Sequence, residues 1–156
     1  MDGPALLCYD GSDDARAAIA AAGPLLGGGA AIVAVVWERT HADYVGARLP
    51  ELGPAVRRAV AELDEYAAAA AAKRADEGCD LARTAGFESA EPVVLKAAGA
   101  VWRVLIDIAD ERDARAIVTG RRGRSQLAAT LLGSVSSGIL SHASRPVLIV
   151  PSGSNP

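Results

Sequence analysis

Ala30-Ala31-Ile32-Val33-Ala34-Val35-Val36-Trp37 is an unbroken apolar run rich in β-branched residues, bracketed by Gly27-Gly28-Gly29 and the polar Glu38. A strand wet on one face alternates apolar with polar residues. A continuous run belongs to a strand covered on both faces, as in a parallel sheet with helices above and below. Upstream, Ala5-Leu6-Leu7-Cys8-Tyr9 is a shorter strand that stops at Asp10-Gly11-Ser12, and Asp13-Asp14-Ala15 open a helix to about Leu26. Ser12 or Asp13 suits the N-cap, and the acidic first turn complements the helix dipole.

Downstream, Glu38 to Gly53 reads as a polar surface loop. Pro54 stands at a first helical position, and Val56, Val60, Leu63, Ala67 and Ala70 trace one helical face as far as Lys73-Arg74, with Gly78 as the stop. Glu91 to Lys96 is a third strand, Ala100 to Arg112 a third helix, and Ala114 to Thr119 a fourth strand. Gly120 to Leu132 is a loop, Ser134 to Ser144 a fourth helix, and Val147 to Val150 a fifth strand. This alternation predicts an α/β fold: a single doubly wound domain over residues 1–151, a five-stranded parallel sheet in the order 3-2-1-4-5 with helices on both faces, and a disordered tail at 152–156.

At 156 residues the chain has room for one core. With 51% hydrophobic and 22% charged residues it has globular composition, and its net charge of −3 argues against nucleic acid as a partner. No apolar stretch reaches the ~20 residues of a membrane span, and Met1-Asp2-Gly3-Pro4 lacks the basic start of a secretory signal. A cytoplasmic protein is expected, with Cys8 and Cys79 as free thiols and Cys79 beside a glycine turn. Neither cysteine has a partner at metal-binding spacing.

In such folds ligands bind at the carboxyl ends of the strands where strand order reverses, between strands one and four. After strand one stands Tyr9-Asp10-Gly11-Ser12. After strand four stands Thr119-Gly120-Arg121-Arg122-Gly123-Arg124-Ser125, which continues to Gly133-Ser134 in the pattern G-x2-G-x9-G-S. Gly120 and Gly123 allow close backbone approach to an anion, and Gly133-Ser134 opens a helix whose free amides attract phosphate. Ser134 adds a hydroxyl, and Arg121, Arg122 and Arg124 add charge. The Walker spacing and the G-x-G-x-x-G fingerprint are both absent. The competing reading of this loop is a plain connector, that of Asp10 is turn chemistry, and that of Val36 is core packing. His41 and His142 lack ligand partners, and Asp107, Asp110, Glu111 and Asp113 read as a solvated acidic face. A response-regulator receiver is rejected, because Lys96 and Pro151 stand where it needs an aspartate and a lysine.

These residues resemble the universal stress protein family over essentially the whole chain. The likeness runs from Asp10-Gly11-Ser12 through the Gly99 turn to the glycine motif and the closing Arg145-Pro146-Val147-Leu148-Ile149-Val150-Pro151. The complete motif resembles that of the family's ATP-binding branch. The resemblance implies ATP, with Mg²⁺, as cofactor. Asp10 and Val36 would lie at the nucleoside end, Gly120, Gly123, Gly133 and Ser134 would hold the phosphates, and Val135 would sit behind them. Relatives often carry proline and a small hydroxyl residue where this chain has Cys8 and Tyr9, and serine-histidine in place of Arg121-Arg122, so the phosphate side here is more basic.

The segment between Gly120 and Gly133 holds no acidic residue. The expectation is therefore a nucleotide-responsive stress or regulatory module with slow or no ATP hydrolysis, the alternatives being a genuine hydrolase and an interaction protein with a vestigial loop. Val147 to Val150 is an apolar sheet edge, open to pairing, and the resemblance implies a homodimer through it.

Overall fold

The computed structural model describes residues 3–38, 53–97, 99–123 and 132–151. The element order is β1 (Ala5–Cys8), α1 (Asp13–Leu26), β2 (Ala30–Trp37), α2 (Pro54–Thr84), β3 (Ser89–Lys96), α3 (Val101–Glu111), β4 (Ala116–Gly120), α4 (Ser134–His142) and β5 (Val147–Val150). All neighbours in the sheet are parallel, in the order β3-β2-β1-β4-β5. The tail at 152–156 lies outside the described residues. Among the described residues no helix is long and apolar enough to cross a membrane.

The continuous apolar runs have the cause expected of them. Leu6 of β1 pairs in register with Ile32 of β2 and Ile117 of β4, and all three face α3 and α4 in a cluster with Leu105, Ile108 and Ile139. Their neighbours Leu7, Val33 and Val118 face the other way, into a cluster with Ile19, Ala75 and Cys79 of α1 and α2. Both faces of the central strands are dry, so successive residues must all be apolar. At one edge β3 accommodates Pro92, whose missing N–H such a position tolerates.

α2 departs from expectation. It runs through Gly78 to Thr84, 31 residues in all, and Gly78 and Cys79 are buried inside it. A Cβ on Gly78 would lie 2.6 Å from Cγ1 of Val33 and 3.0 Å from Cδ1 of Tyr9. This glycine thus lets the helix lie close on the sheet and does not end it. The chain turns at Gly86, with φ 107°, and buried Phe87 leads into β3 two residues earlier than expected. β4, by contrast, begins two residues later than expected, at Ala116, and includes Gly120, and α4 stops at His142 where Ala143 becomes extended.

Two of the acidic residues read as a solvated face also hold the last crossover. Arg145 donates through Nε to Asp110 at 2.8 Å, and through Nη1 to Asp113 at 2.9 Å and to the Ala114 carbonyl at 2.6 Å. His142 stacks on Trp102 with ring centroids 4.3 Å apart, in the α3–α4 contact.

Replacing Gly78 by leucine is expected to cost about 1–3 kcal/mol, because the added carbons meet the sheet. Gly99→Ala, with nothing within 4 Å of the new methyl group, is expected to stay within about 0.5 kcal/mol of wild type. Urea denaturation of both variants measures the difference.

Candidate functional site

β1 and β4 lie side by side at the centre of the sheet, and the strand order reverses between them. The segment after β1 is a tight turn built from its own polar groups. Asp10 Oδ1 accepts the Ser12 amide at 2.9 Å, Gly11 takes φ 83°, and Ser12 Oγ caps α1 by accepting the Ala15 amide at 3.2 Å.

The segment after β4 folds back over that turn. A Cβ on Gly120 would fall 2.7 Å from the Asp14 carbonyl carbon and 2.9 Å from the Ala15 nitrogen, so β4 ends directly against the first turn of α1. The Arg121 amide donates to the Val150 carbonyl at 2.8 Å, which carries the β4–β5 ladder one residue further. The Arg121 carbonyl accepts both the Gly133 amide and the Ser136 hydroxyl, each at 2.9 Å, and this pins the loop to the start of α4. The next amide, Arg122, donates to Asp14 Oδ2 at 2.9 Å. Gly123 then lies over Asp10: a Cβ there would be 2.8 Å from Asp10 Oδ2.

Of the expected site residues, Asp10, Gly120, Arg121, Arg122, Gly123 and Gly133 are therefore brought together. Ser134, exposed, is the first residue of α4, whose N-cap Gly133 supplies no side-chain cap. The amides of a first helical turn have no partner within their own helix. Val135 is half-buried behind it and packs on the same apolar cluster as Val36 at the end of β2. Arg124 lies outside the described residues. Arg121 and Arg122 have their Nε atoms buried without a hydrogen-bond partner among the described residues.

Sequence reasoning missed Asp14 and Ser136. Asp14 reads as an ordinary first-turn acid, yet its carboxylate is buried and holds an amide 108 residues away. Ser136 is also buried, and nothing in the pattern distinguishes it from Ser137.

Tyr9 and Cys8 are placed by strand alternation. Tyr9 turns to the α2 side, where its hydroxyl donates to Glu77 Oε1 at 2.8 Å, and Glu77 is also bonded to Arg16. Burial, then the Glu77 carboxylate, push its phenol up to about 12. Cys8 faces the opposite cluster, and burial pushes its thiol up to about 12 as well. The larger residue at position 9 therefore points away from the crevice.

This arrangement joins amide donors, the backbone of two arginines and a carboxylate at one end of the central strands. It can hold an anionic group at the start of α4 and a hydroxylated or polar group at Asp10. Among the described residues no group of three His, Cys, Asp or Glu could hold a metal ion.

The Universal stress protein family model matches residues 3–151. Comparison with curated proteins finds no match. Among solved structures, the fold is similar to that of the hypothetical protein MJ0577, with TM-score 0.80 and 20% identity over 99% of both chains. It is similar also to a universal stress protein in complex with cAMP, with TM-score 0.61 and 24% identity over 98% of this chain and 100% of that one. A third is the universal stress protein from Archaeoglobus fulgidus in complex with dAMP, with TM-score 0.55 and 20% identity over 96% and 99%.

Asp14→Ala is expected to lower stability by about 1–3 kcal/mol, by leaving the Arg122 amide without its acceptor. It should also raise the hydrogen-exchange rate at that amide, whereas Asp14→Asn keeps an acceptor oxygen and most of the protection. Exchange followed by NMR separates the two.

The alkaline side of the stability profile has a definite sign. Tyr9 ionises at about 12 when folded against 10.0 ordinarily, so its contribution is complete below about pH 10 and is lost as pH rises towards 12. Tyr9→Phe is expected to flatten the stability curve in that window, as read by urea midpoints at successive pH values.

Proposed function

The chain belongs to the universal stress protein family, and from that membership and the loop geometry we propose that it binds ATP and acts as a nucleotide-responsive regulatory module. The observation that carries this reading is the meeting of Gly123 with Asp10. Two segments more than a hundred residues apart in sequence converge where a Cβ would close the space, at 2.8 Å from the carboxylate. Two similar folds are of universal stress proteins in complex with cAMP and dAMP, both adenine nucleotides.

In this reading Asp10 meets the nucleoside end, and Val36 supplies apolar packing beside it. The start of α4, from Gly133 and Ser134, receives the phosphates with its amides, Gly123 keeps the approach open, Gly120 lets β4 end close against α1 beneath it, and Val135 supports the turn from behind. The buried Nε atoms of Arg121 and Arg122 fit an anionic ligand, since a guanidinium donates in a fixed fork that matches phosphate oxygens. Arg124 adds charge to the same loop. Magnesium comes with the nucleotide, held by the phosphates themselves. The Arg122 amide is already taken by Asp14, so the loop's anion contacts fall to Gly123, the first turn of α4 and the side chains.

Turnover is slow or absent. A hydrolase needs a carboxylate placed to orient water and hold metal beside the phosphates. Of the two carboxylates in contact with the described part of the loop, Asp14 is occupied with the Arg122 amide and Asp10 stands at the turn after β1. We also propose a homodimer through β5. Its Val147, Leu148, Ile149 and Val150 are only half-buried, and one side of the strand is the edge of the sheet.

Calorimetric titration of ATP, AMP and cAMP tests the reading. Wild type is expected to bind ATP, and Gly123→Val to lose at least ten-fold in affinity with its melting temperature preserved, because the added carbons fill the space beside Asp10. Absence of binding heat for all three nucleotides in wild type would refute it. Single-turnover hydrolysis that is abolished by Asp10 or Ser134 substitution would replace the binding module with an enzyme.

A further inference from the structure

We propose that Asp14 and Ser136 are positioning residues for the anionic end of the ligand, acting through one peptide unit, the one that joins Arg121 to Arg122. This deepens the nucleotide reading and rests on it. The carbonyl of that unit accepts the Gly133 amide and the Ser136 hydroxyl, each at 2.9 Å, and its N–H donates to Asp14 Oδ2 at 2.9 Å. A trans peptide points these two groups in opposite directions, so α4 holds one side of the unit and α1 the other. A backbone amide only donates and a carboxylate only accepts. A turned-over unit would therefore set donor against donor at Gly133 and oxygen against oxygen at Asp14. Both side chains are enclosed, Asp14 9% and Ser136 2% exposed, which leaves little room for water to replace either.

The setting of this unit bears directly on an anion. The Cβ position of Gly133 is 3.5 Å from the Arg121 oxygen and 3.7 Å from the Gly123 nitrogen, so any turn of the unit moves Gly123 relative to the start of α4. The Arg121 oxygen carries partial negative charge. Engaged by two donors it is masked, whereas without the Ser136 hydroxyl it would compete with a phosphate oxygen for the donors of α4. That hydroxyl also lies 3.0 Å from the Gly133 carbonyl, so its one proton serves both carbonyls. Asp14 acts in two opposed ways. Its negative charge disfavours a nearby anion, and its hold on the Arg122 amide favours one by fixing the loop. A neutral replacement of the same shape separates the two.

The test is titration of ATP and of adenosine into wild type, Ser136→Ala, Ser136→Thr, Asp14→Ala and Asp14→Asn, each well below its own melting temperature. Ser136→Ala and Asp14→Ala are expected to lose about five-fold or more in ATP affinity, the worth of one hydrogen bond, and to hold adenosine within about two-fold of wild type. Ser136→Thr, which keeps the hydroxyl, and Asp14→Asn, which keeps an acceptor oxygen, are expected to recover ATP binding. If Asp14 acted on phosphate by charge alone, both of its variants would bind ATP more tightly than wild type, and that result would overturn its positioning role. Equal losses for ATP and adenosine would show general loosening and refute the proposal, as would an ATP affinity unchanged in Ser136→Ala or in Asp14→Ala. Wild type that binds neither compound would refute the nucleotide reading itself, and this inference with it.

Discussion

The site depends on one close approach, backbone against backbone, where Gly120 at the end of β4 meets the first turn of α1 at Asp14 and Ala15. Any side chain at position 120 would push strand and helix apart. That contact sets Arg122 within reach of the Asp14 carboxylate and Gly123 over Asp10, and the start of α4 is then drawn in through the Arg121 carbonyl. The polar groups of three elements thus meet because a glycine removes the one atom that would keep them apart. The glycines of the motif divide the work: Gly120 serves the fold, while Gly123 keeps open the space at Asp10.

Asp14 illustrates the balance at such a site. A buried carboxylate costs free energy unless it accepts strong hydrogen bonds, and here Asp14 accepts one from the Arg122 amide of the loop it positions. It also lies in the first turn of α1, where the helix dipole favours a negative charge. The arginine-bearing loop therefore rests on an acid through its backbone. A net charge of −3 over the chain says little about this place, since charge acts locally and screening confines each group to its neighbourhood.

α2 shows the same division between local and tertiary causes. Its alanine tract makes a helix wherever it is put, which is why the element was legible as a helix in the sequence. Its length was not, because a glycine after the charged Lys73-Arg74 pair has the form of a helix stop. A glycine disfavours a helix by about 1 kcal/mol. It is accepted when a residue with a Cβ would collide with Val33 and Tyr9 on the sheet beneath. The helix therefore continues for six residues beyond Gly78, from Cys79 to Thr84.

The sequence by itself determined the alternation of elements, the strand order and the end of the sheet at which such folds bind ligands. Runs such as Ala30 to Trp37 admit only a strand dry on both faces, and short parallel connections leave few topologies. Asp10, Gly120, Gly123 and Gly133 could be named because each lies next to the end of a strand or the start of a helix, positions that the periodicity marks. What only the tertiary structure decided was which way side chains turned and what they met. Tyr9 goes to Glu77 and away from the crevice, Asp14 reaches an amide 108 residues on, and Arg145 finds Asp110 and Asp113. The reason is physical: periodicity is a property of neighbours along the chain, whereas these contacts depend on how far one packed element slides against another before their atoms touch.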